Sequence, residues 1–414
     1  MNVLLVLATV FAVMVVLIRL RVPVGYVLAA GALLLCLLSR LGPAEIGRAF
    51  LEGVSSLASG GLLAAVLLVT IFGEVLRRVE NLAALVAALR GYLRDVRLVL
   101  ATAPAVIGLL PMPGGAMLSA PLVRQAADDM ALPPEKLTML NYWFRHVWEY
   151  CWPLYPGIIA AAAILGVPWW KLMVVHLPMS LVAMAVGFVV VMRRVPSSAD
   201  AGSPRGSPRA LLAALVPVSS VIALAMLLKI ARLDDPWNLI AALAVLIPAS
   251  AFMLGMRARG LLGAVVTACR PNLVALVLGL MVFKRCIEVT GAADAVPEAL
   301  AALGVPQIVV IGLLPFICGL LTGITVGYVS VAYPILAAMI VTPAGVDFGL
   351  AMLAFGTGYV GVLLSPVHLC LILSKDYFEA NLGLVYRALV VPCAAVVAVC
   401  LVLPALGWGG WWSP

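Results

Sequence analysis

Charge is what this chain has least of: 11% of its 414 residues are Asp, Glu, Lys or Arg, and 65% are hydrophobic. Soluble proteins average about 25% charged and about 45–50% apolar residues. No soluble core absorbs such an excess, and one membrane span needs only about 20 apolar residues. Enzyme signatures are also missing. There is no HExxH, GxSxG or Walker pattern and no pair of carboxylates inside an apolar run, so neither catalysis, a cofactor nor ATP-driven work is expected. The three histidines, His146, His176 and His368, stand far apart, which argues against a structural metal site. None of the eight cysteines forms a CxxC pair or is read as lying at metal-ligand spacing from a histidine, so they are expected to be small buried hydrophobes. The first apolar run, Asn2 to Ile18, lacks a preceding basic segment and a following small-residue cleavage site, and reads as a retained span. A formal charge of +8 suggests nucleic acid at first sight. Loop bias in a membrane protein explains it instead, with the lipid bilayer as partner.

What is present is a series of helix-length apolar runs near 3–18, 22–38, 57–76, 141–165, 172–192, 210–230, 237–254, 271–290, 348–373 and 384–404. Two further apolar stretches, about 98–123 and about 307–341, are rich in Gly, Pro, Ser and Thr. Each is expected to be a re-entrant hairpin, since irregular backbone survives at membrane depth only against protein or a water-filled cavity. The fold expected is therefore an all-α polytopic membrane protein with about 10 transmembrane helices and two hairpins. One polar linker, 193–209 (RRVPSSADAGSPRGSPR), separates residues 1–192 from 210–414.

The halves match. Shifted by 211 without a gap, residues 62–123 and 273–334 share 14 identities, including Phe72 with Phe283, Pro104 with Pro315 and Ser119 with Ser330. Five crossings per half would make the second repeat inverted relative to the first, an architecture common in secondary transporters. Charge gives an independent check. With both termini outside and the linker cytoplasmic, 18 of the 26 basic residues fall in cytoplasmic connections and five outside, as the positive-inside rule requires. The first hairpin then opens to the cytoplasm and the second to the outside of an inner membrane.

Candidate binding residues follow from the breaks. The first hairpin carries Pro113, Gly114, Gly115 and Ser119; the second carries Thr322, Gly323, Thr325 and Ser330. Helix N-termini at such tips suit an anion and C-termini a cation; close helix packing by small residues is the competing explanation. The segment NYWFRHVWEYCWPLYPG (141–157) is interrupted by Pro153 and Pro156, and its counterpart has Gly356, Gly358, Gly361 and Pro366. Arg145 and Glu149 are four apart and can pair, with His146 adjacent. Ionisable groups inside a span point to a pathway or binding site. In the competing reading Trp143, Trp148, Tyr150 and Trp152 form an interfacial belt and Arg145 snorkels to headgroups. Because Phe355 and Tyr359 at the mirrored positions are uncharged, the functional reading is preferred. Asn141, Arg145, Tyr155 and Ser365 join the hairpin residues as the substrate-binding set, with His146, Glu149 and His368 for a coupling ion or proton and no metal. Glu74 with Arg77 and Arg285 with Glu288 are expected to be structural ion pairs, leaving Lys284 unpaired. His176 reads as a span-end residue.

The motifs PMPGGAMLSAP (111–121) and NYWFRHVWEYCWPLYPG resemble an uncharacterised family of prokaryotic integral membrane proteins in the ion-transporter superfamily. Gluconate permeases, citrate and dicarboxylate transporters, and arsenite and sodium/proton carriers are its better-known relatives. The resemblance implies paired hairpins, two broken helices and a homodimer with elevator-like motion. The Ser-Asn-Thr hairpin signature of the dicarboxylate carriers is absent; Ser119 and Ser330 lie near its place.

These readings converge on an ion-coupled secondary transporter of a small anionic solute such as an organic acid, driven by protons or sodium. The alternatives are an inorganic-ion carrier or cation/proton antiporter on the same scaffold, and an intramembrane lipid-processing enzyme.

Overall fold

A computed structural model describes residues 3–78, 93, 95–112, 114–128, 130–197, 208–253 and 255–410. Pro113, most of the expected linker (198–207) and Arg90, Arg94 and Arg205 lie outside the described residues. Among the described residues, nineteen α-helices and one two-stranded turn make the protein all-α. Where water is excluded, a helix satisfies every internal backbone N–H and C=O within its own segment, which is why so apolar a sequence folds this way.

Helices α1 (Val3–Arg19), α2 (Val24–Leu38), α3 (Pro43–Ser55) and α4 (Leu57–Arg78) come first. The helix–turn–helix pair α5 (Val96–Ile107) and α6 (Ala116–Ala126) follows, α5 capped by the Asp95 carboxylate accepting from the Arg97 N–H at 2.9 Å. Helices α7 (Pro134–Arg145) and α8 (Pro156–Leu165) are separated by a ten-residue break, and α9 (Trp169–Val186) continues as a π turn, Gly187–Val191. The second series contains α10 (Pro208–Ile230), α11 (Trp237–Met253), α12 (Ala258–Ala268), α13 (Pro271–Val289) and α14 (Ala292–Ala302). Then come α15 (Gln307–Thr322), α16 (Thr325–Ile340), α17 (Phe348–Leu363), α18 (Leu369–Phe378) and α19 (Leu382–Ala405). Strands β1 (Val341–Thr342) and β2 (Gly345–Val346) make the tight turn before α17, whose N-terminus is capped by Asp347.

Three stretches among the described residues are long and apolar enough to cross a membrane: α4, α9 with its π turn, and α19. Counting two bent pairs as single spans raises this to five; α12 meets α13 at 47° and α14 meets α15 at 116°.

Packing exchanges elements between the two series. Helix α4 lies against α11 and α12, and α13 against α2 and α3. Likewise α6 packs on α18, and α16 on α8. The α2–α13 crossing is close enough that a Cβ on Gly25 would strike the Ala275 backbone, and one on Gly279 the Gly25 carbonyl.

The elements depart from the sequence expectations in definite places. Helices α3, α12 and α14 lie where connections are expected; α3 and α12 are short and amphipathic, below the length an apolar-run search detects. The helix expected from 141 starts at Pro134, because Pro at the first helical position costs no hydrogen bond. Gly356, Gly358 and Gly361 do not break their helix. They sit inside α17, and the chain breaks only at 364–368, around Pro366. Lys284 is not unpaired: its Nζ lies 3.7 Å from Glu288 Oε1, while Arg285 reaches Glu52 at 2.8 Å. The expected Glu74–Arg77 and Arg285–Glu288 pairs form at 2.6 and 3.2 Å.

Gly47, inside α3, is exposed and has open space where a Cβ would stand. Gly47→Ala removes backbone freedom from the unfolded chain without a clash. It is expected to raise stability by about 0.5 kcal/mol, seen as a small upward shift in thermal unfolding in detergent.

Candidate functional site

Two breaks meet in the buried interior. After α7, residues 146–155 run in successive turns until Tyr155 introduces α8, where Pro156 takes the first helical position. After α17, residues 364–368 turn into α18 with His368 just before its first residue. The N-terminus of α16 faces both breaks: a Cβ on Gly157, one residue into α8, would stand 2.6 Å from the Thr325 methyl.

Arg145 is the last residue of α7 and is 1% exposed. Its Nη2 donates to the Met112 carbonyl at 3.0 Å, and its Nη1 lies 3.3 Å from both Glu149 Oε1 and His146 Nε2. Such burial excludes the snorkelling arrangement, since the guanidinium points inward. Two of the four neighbouring aromatics agree, while Trp148 and Trp152 stay partly exposed. Trp143 and Tyr150 are buried, and the Trp143 indole donates to the Ala183 carbonyl at 2.9 Å.

Glu149 is 6% exposed and receives a second hydrogen bond from the Thr325 hydroxyl, Oγ1 to Oε2 at 3.2 Å. The carboxylate thus joins the break after α7 to the first turn of α16, where the helix dipole favours a negative charge. Thr325→Val keeps the methyl packing and deletes the hydroxyl. It is expected to cost about 1.5–2 kcal/mol, as hydrogen bonds to charged groups do, while Thr325→Ser loses less; thermal unfolding in detergent compares them.

The two histidines that the sequence holds 222 positions apart touch, Nε2 to Nε2, at 3.1 Å. Each ring is oriented by backbone. His146 Nδ1 lies 2.6 Å from the Tyr142 carbonyl and His368 Nδ1 2.8 Å from the Gly323 carbonyl. A carbonyl only accepts, so both Nδ1 atoms carry the proton. Cys370 belongs to this group as well: its Sγ and the ligand atoms of His146 and His368 all lie within 4.8 Å of one another. His176 is elsewhere, fully buried inside α9 rather than at its end, with Nδ1 3.1 Å from the Tyr150 carbonyl.

The first hairpin reaches the site through its turn. Gly114 adopts φ +72°, open chiefly to glycine. A Cβ on Gly115 would stand 2.5 Å from Arg145 Nη2 and 2.8 Å from Nε. Glycine therefore lets the guanidinium lie against the N-terminus of α6. Tyr155 fixes the other side, its hydroxyl donating to the Gly108 carbonyl at 2.6 Å. Asn141 holds the hairpin's second arm, Nδ2 donating to the Ala116 carbonyl at 3.0 Å and to Ser374 Oγ at 2.8 Å. Ser119 bonds back to the same carbonyl at 3.3 Å.

In the second hairpin Gly323 turns the chain at φ +66°, and Ser365 donates to the Leu320 carbonyl at 2.7 Å. The structure therefore gathers Gly115, Arg145, His146, Glu149, Tyr155, Gly323, Thr325, Ser365 and His368 around the crossing breaks. Thr322 bonds within its own hairpin, to the Cys318 carbonyl at 2.8 Å and the Ile324 carbonyl at 3.4 Å. Ser330 is buried inside α16, with no hydrogen-bond partner for Oγ among the described residues. Cys370 is the site residue that sequence reasoning missed. The His368-Leu369-Cys370 spacing is its only local signal, and its partner histidine comes from the other half of the chain.

Among the described residues, Arg145 Nε and Asn141 Oδ1 are buried without a hydrogen-bond partner. The arrangement can offer an anion a fixed guanidinium beside a helix N-terminus. Comparison with curated proteins gives no match. The family model for DUF401, described as a protein of unknown function, matches residues 3–408, and the chain belongs to that family.

Proposed function

We propose that this protein is an ion-coupled secondary transporter of a small anionic solute, with Arg145 as the anion contact. One observation carries the reading. Arg145 Nε is buried and unpartnered among the described residues, beside Gly115 at the N-terminus of α6, so two sources of positive potential converge where polar capacity is unspent. Intramembrane ionisable groups by default mark a pathway or binding site, and Glu149 supplies the nearby negative charge around which a driving cation is accommodated.

The wider architecture belongs to the same proposal. Ten crossings and two re-entrant hairpins, α5–α6 and α15–α16, form two inverted repeats in an inner membrane, with both termini outside. The exchange of α4 and α13 between the two series supports this symmetry, as does the excess of basic residues on one side. The hairpin and broken-helix plan supports the proposed likeness to the ion-transporter superfamily, which would bring with it a homodimer and an elevator-like movement.

Proteoliposome uptake tests the function. Radiolabelled carboxylates and oxyanions are screened under separately imposed proton and sodium gradients, and one is expected to accumulate only when a gradient is present. Arg145→Ala is expected to abolish that uptake; uptake unchanged in this variant removes the anion contact. A lipid-modifying activity in detergent with no vectorial movement would favour the enzyme alternative.

A further inference from the structure

We infer that His146, His368 and Cys370 form a binding site for a borderline-soft divalent cation of the zinc class, clamping the two chain breaks together. The geometry starts from proton positions. Both Nδ1–H groups are committed to backbone carbonyls, at Tyr142 and Gly323, so in neutral rings both Nε2 atoms present lone pairs. The two Nε2 atoms lie 3.1 Å apart, and a cation between them would relieve the repulsion of their lone pairs. Two metal–nitrogen bonds of about 2.0–2.1 Å at a tetrahedral angle hold their nitrogens about 3.3 Å apart. The observed separation already fits that spacing.

A shared proton would also relieve the two lone pairs, but it needs no third ligand. The Cys370 sulfur lies within 4.8 Å of both histidine ligand atoms, and imidazole with thiolate is the donor set that selects zinc-class ions. The backbone carbonyls at Nδ1 are the outer partners that metal-bound histidines ordinarily have, fixing tautomer and ring orientation. Glu149 Oε1, 3.8 Å from His146 Nε2, stands ready as a fourth ligand or as charge compensation. Arg145, whose Nη1 is 3.3 Å from the same nitrogen, donates to that lone pair and gives it up when an ion binds, and its charge opposes a cation. Thiolate and carboxylate together offset it, leaving the charge of a divalent ion plus guanidinium reduced to one net positive unit. Binding releases the thiol proton to solvent.

The consequence is mechanical. His146 directly follows α7 in the first half of the chain, while His368 and Cys370 flank the first residue of α18 in the second. An ion held by all three ties the two broken helices at the point where they cross. This site stands independently of the transport reading, because occupancy is measured without flux.

The test uses the full chain in detergent, stripped with a chelator and titrated with Zn2+ alone. Calorimetry and elemental analysis are expected to give one ion per chain, with thermal unfolding shifted upward by mass action. Cys370→Ser and His368→Gln are each expected to weaken binding by about 100-fold or more, beyond what loss of an outer partner causes. Cys269→Ser, which removes an exposed thiol, leaves binding unchanged. Co2+ in the wild-type protein is expected to show a thiolate-to-cobalt charge-transfer band, a readout that needs no variant to fold. Monodisperse wild-type protein that retains no Zn2+, a cobalt spectrum without that band, or binding that survives the Cys370→Ser/His368→Gln double variant overturns the site.

Discussion

Glu149→Ala is expected to destabilise the protein by about 3–5 kcal/mol, the cost of leaving a buried partner charge uncompensated. The Arg145 guanidinium is enclosed, and its described charge-bearing contact is the Glu149 carboxylate at 3.3 Å; the Met112 carbonyl supplies only a dipole. Deleting the carboxylate also strands the Thr325 hydroxyl. The decisive comparison is with the double variant Arg145→Met/Glu149→Leu. Replacing a buried ion pair by apolar side chains of similar volume is often neutral or stabilising, so this variant is expected to unfold within about 1 kcal/mol of wild type. It is also expected to transport nothing. Thermal unfolding in detergent, beside liposome uptake, reads both quantities. A double variant as unstable as the single one would show that the pair holds the fold through its hydrogen bonds rather than its charge balance. A stable double variant with intact uptake would leave the pair without a role in transport.

How far the sequence predicts this arrangement depends on the kind of signal. Apolar runs announce α4, α10, α11 and α13, because burial in lipid needs only composition and length. They miss α3 and α12, whose polar faces dilute the apolar count. Arg145 and Glu149 were detectable because charge inside a span is costly and therefore rare. Gly114 was detectable because a reversal demands it; Gly115, in ordinary helical conformation, is glycine for its contact with Arg145. The His146–His368 contact was not. Its two residues lie in different halves, and nothing local to either reports which of the three histidines the fold brings together. Sequence distance between histidines is a weak guide in a protein whose halves interlock. The same holds for Gly356, Gly358 and Gly361: composition marks them as helix breakers, whereas the fold uses them as contact surfaces in a continuous helix.

That contact surface yields the second large effect. Helices α15 and α17 approach so closely that a Cβ on Gly319 would collide with the Gly358 carbonyl, and one on Gly361 with the Phe316 carbonyl. Both obstacles are backbone, so no rotamer change relieves them. In a membrane, where apolar surface between helices gains little over lipid, such close approach by small residues is a main source of association. Gly361→Ala is therefore expected to cost about 3 kcal/mol, the upper end of ordinary overpacking, although it improves helix propensity. Gly47→Ala, with the same chemistry in open space, moves the other way. The pair separates crowding from backbone entropy in one measurement, thermal unfolding in a common detergent. Gly361→Ala also has a functional signature. Helix α17 leads directly into the break that carries Ser365 and His368, so spreading α15 from α17 displaces the second hairpin from Glu149. Uptake is expected to fall with stability in Gly361→Ala and to be unaffected in Gly47→Ala. Equal thermal shifts in the two variants would show that the α15–α17 crossing relaxes without cost.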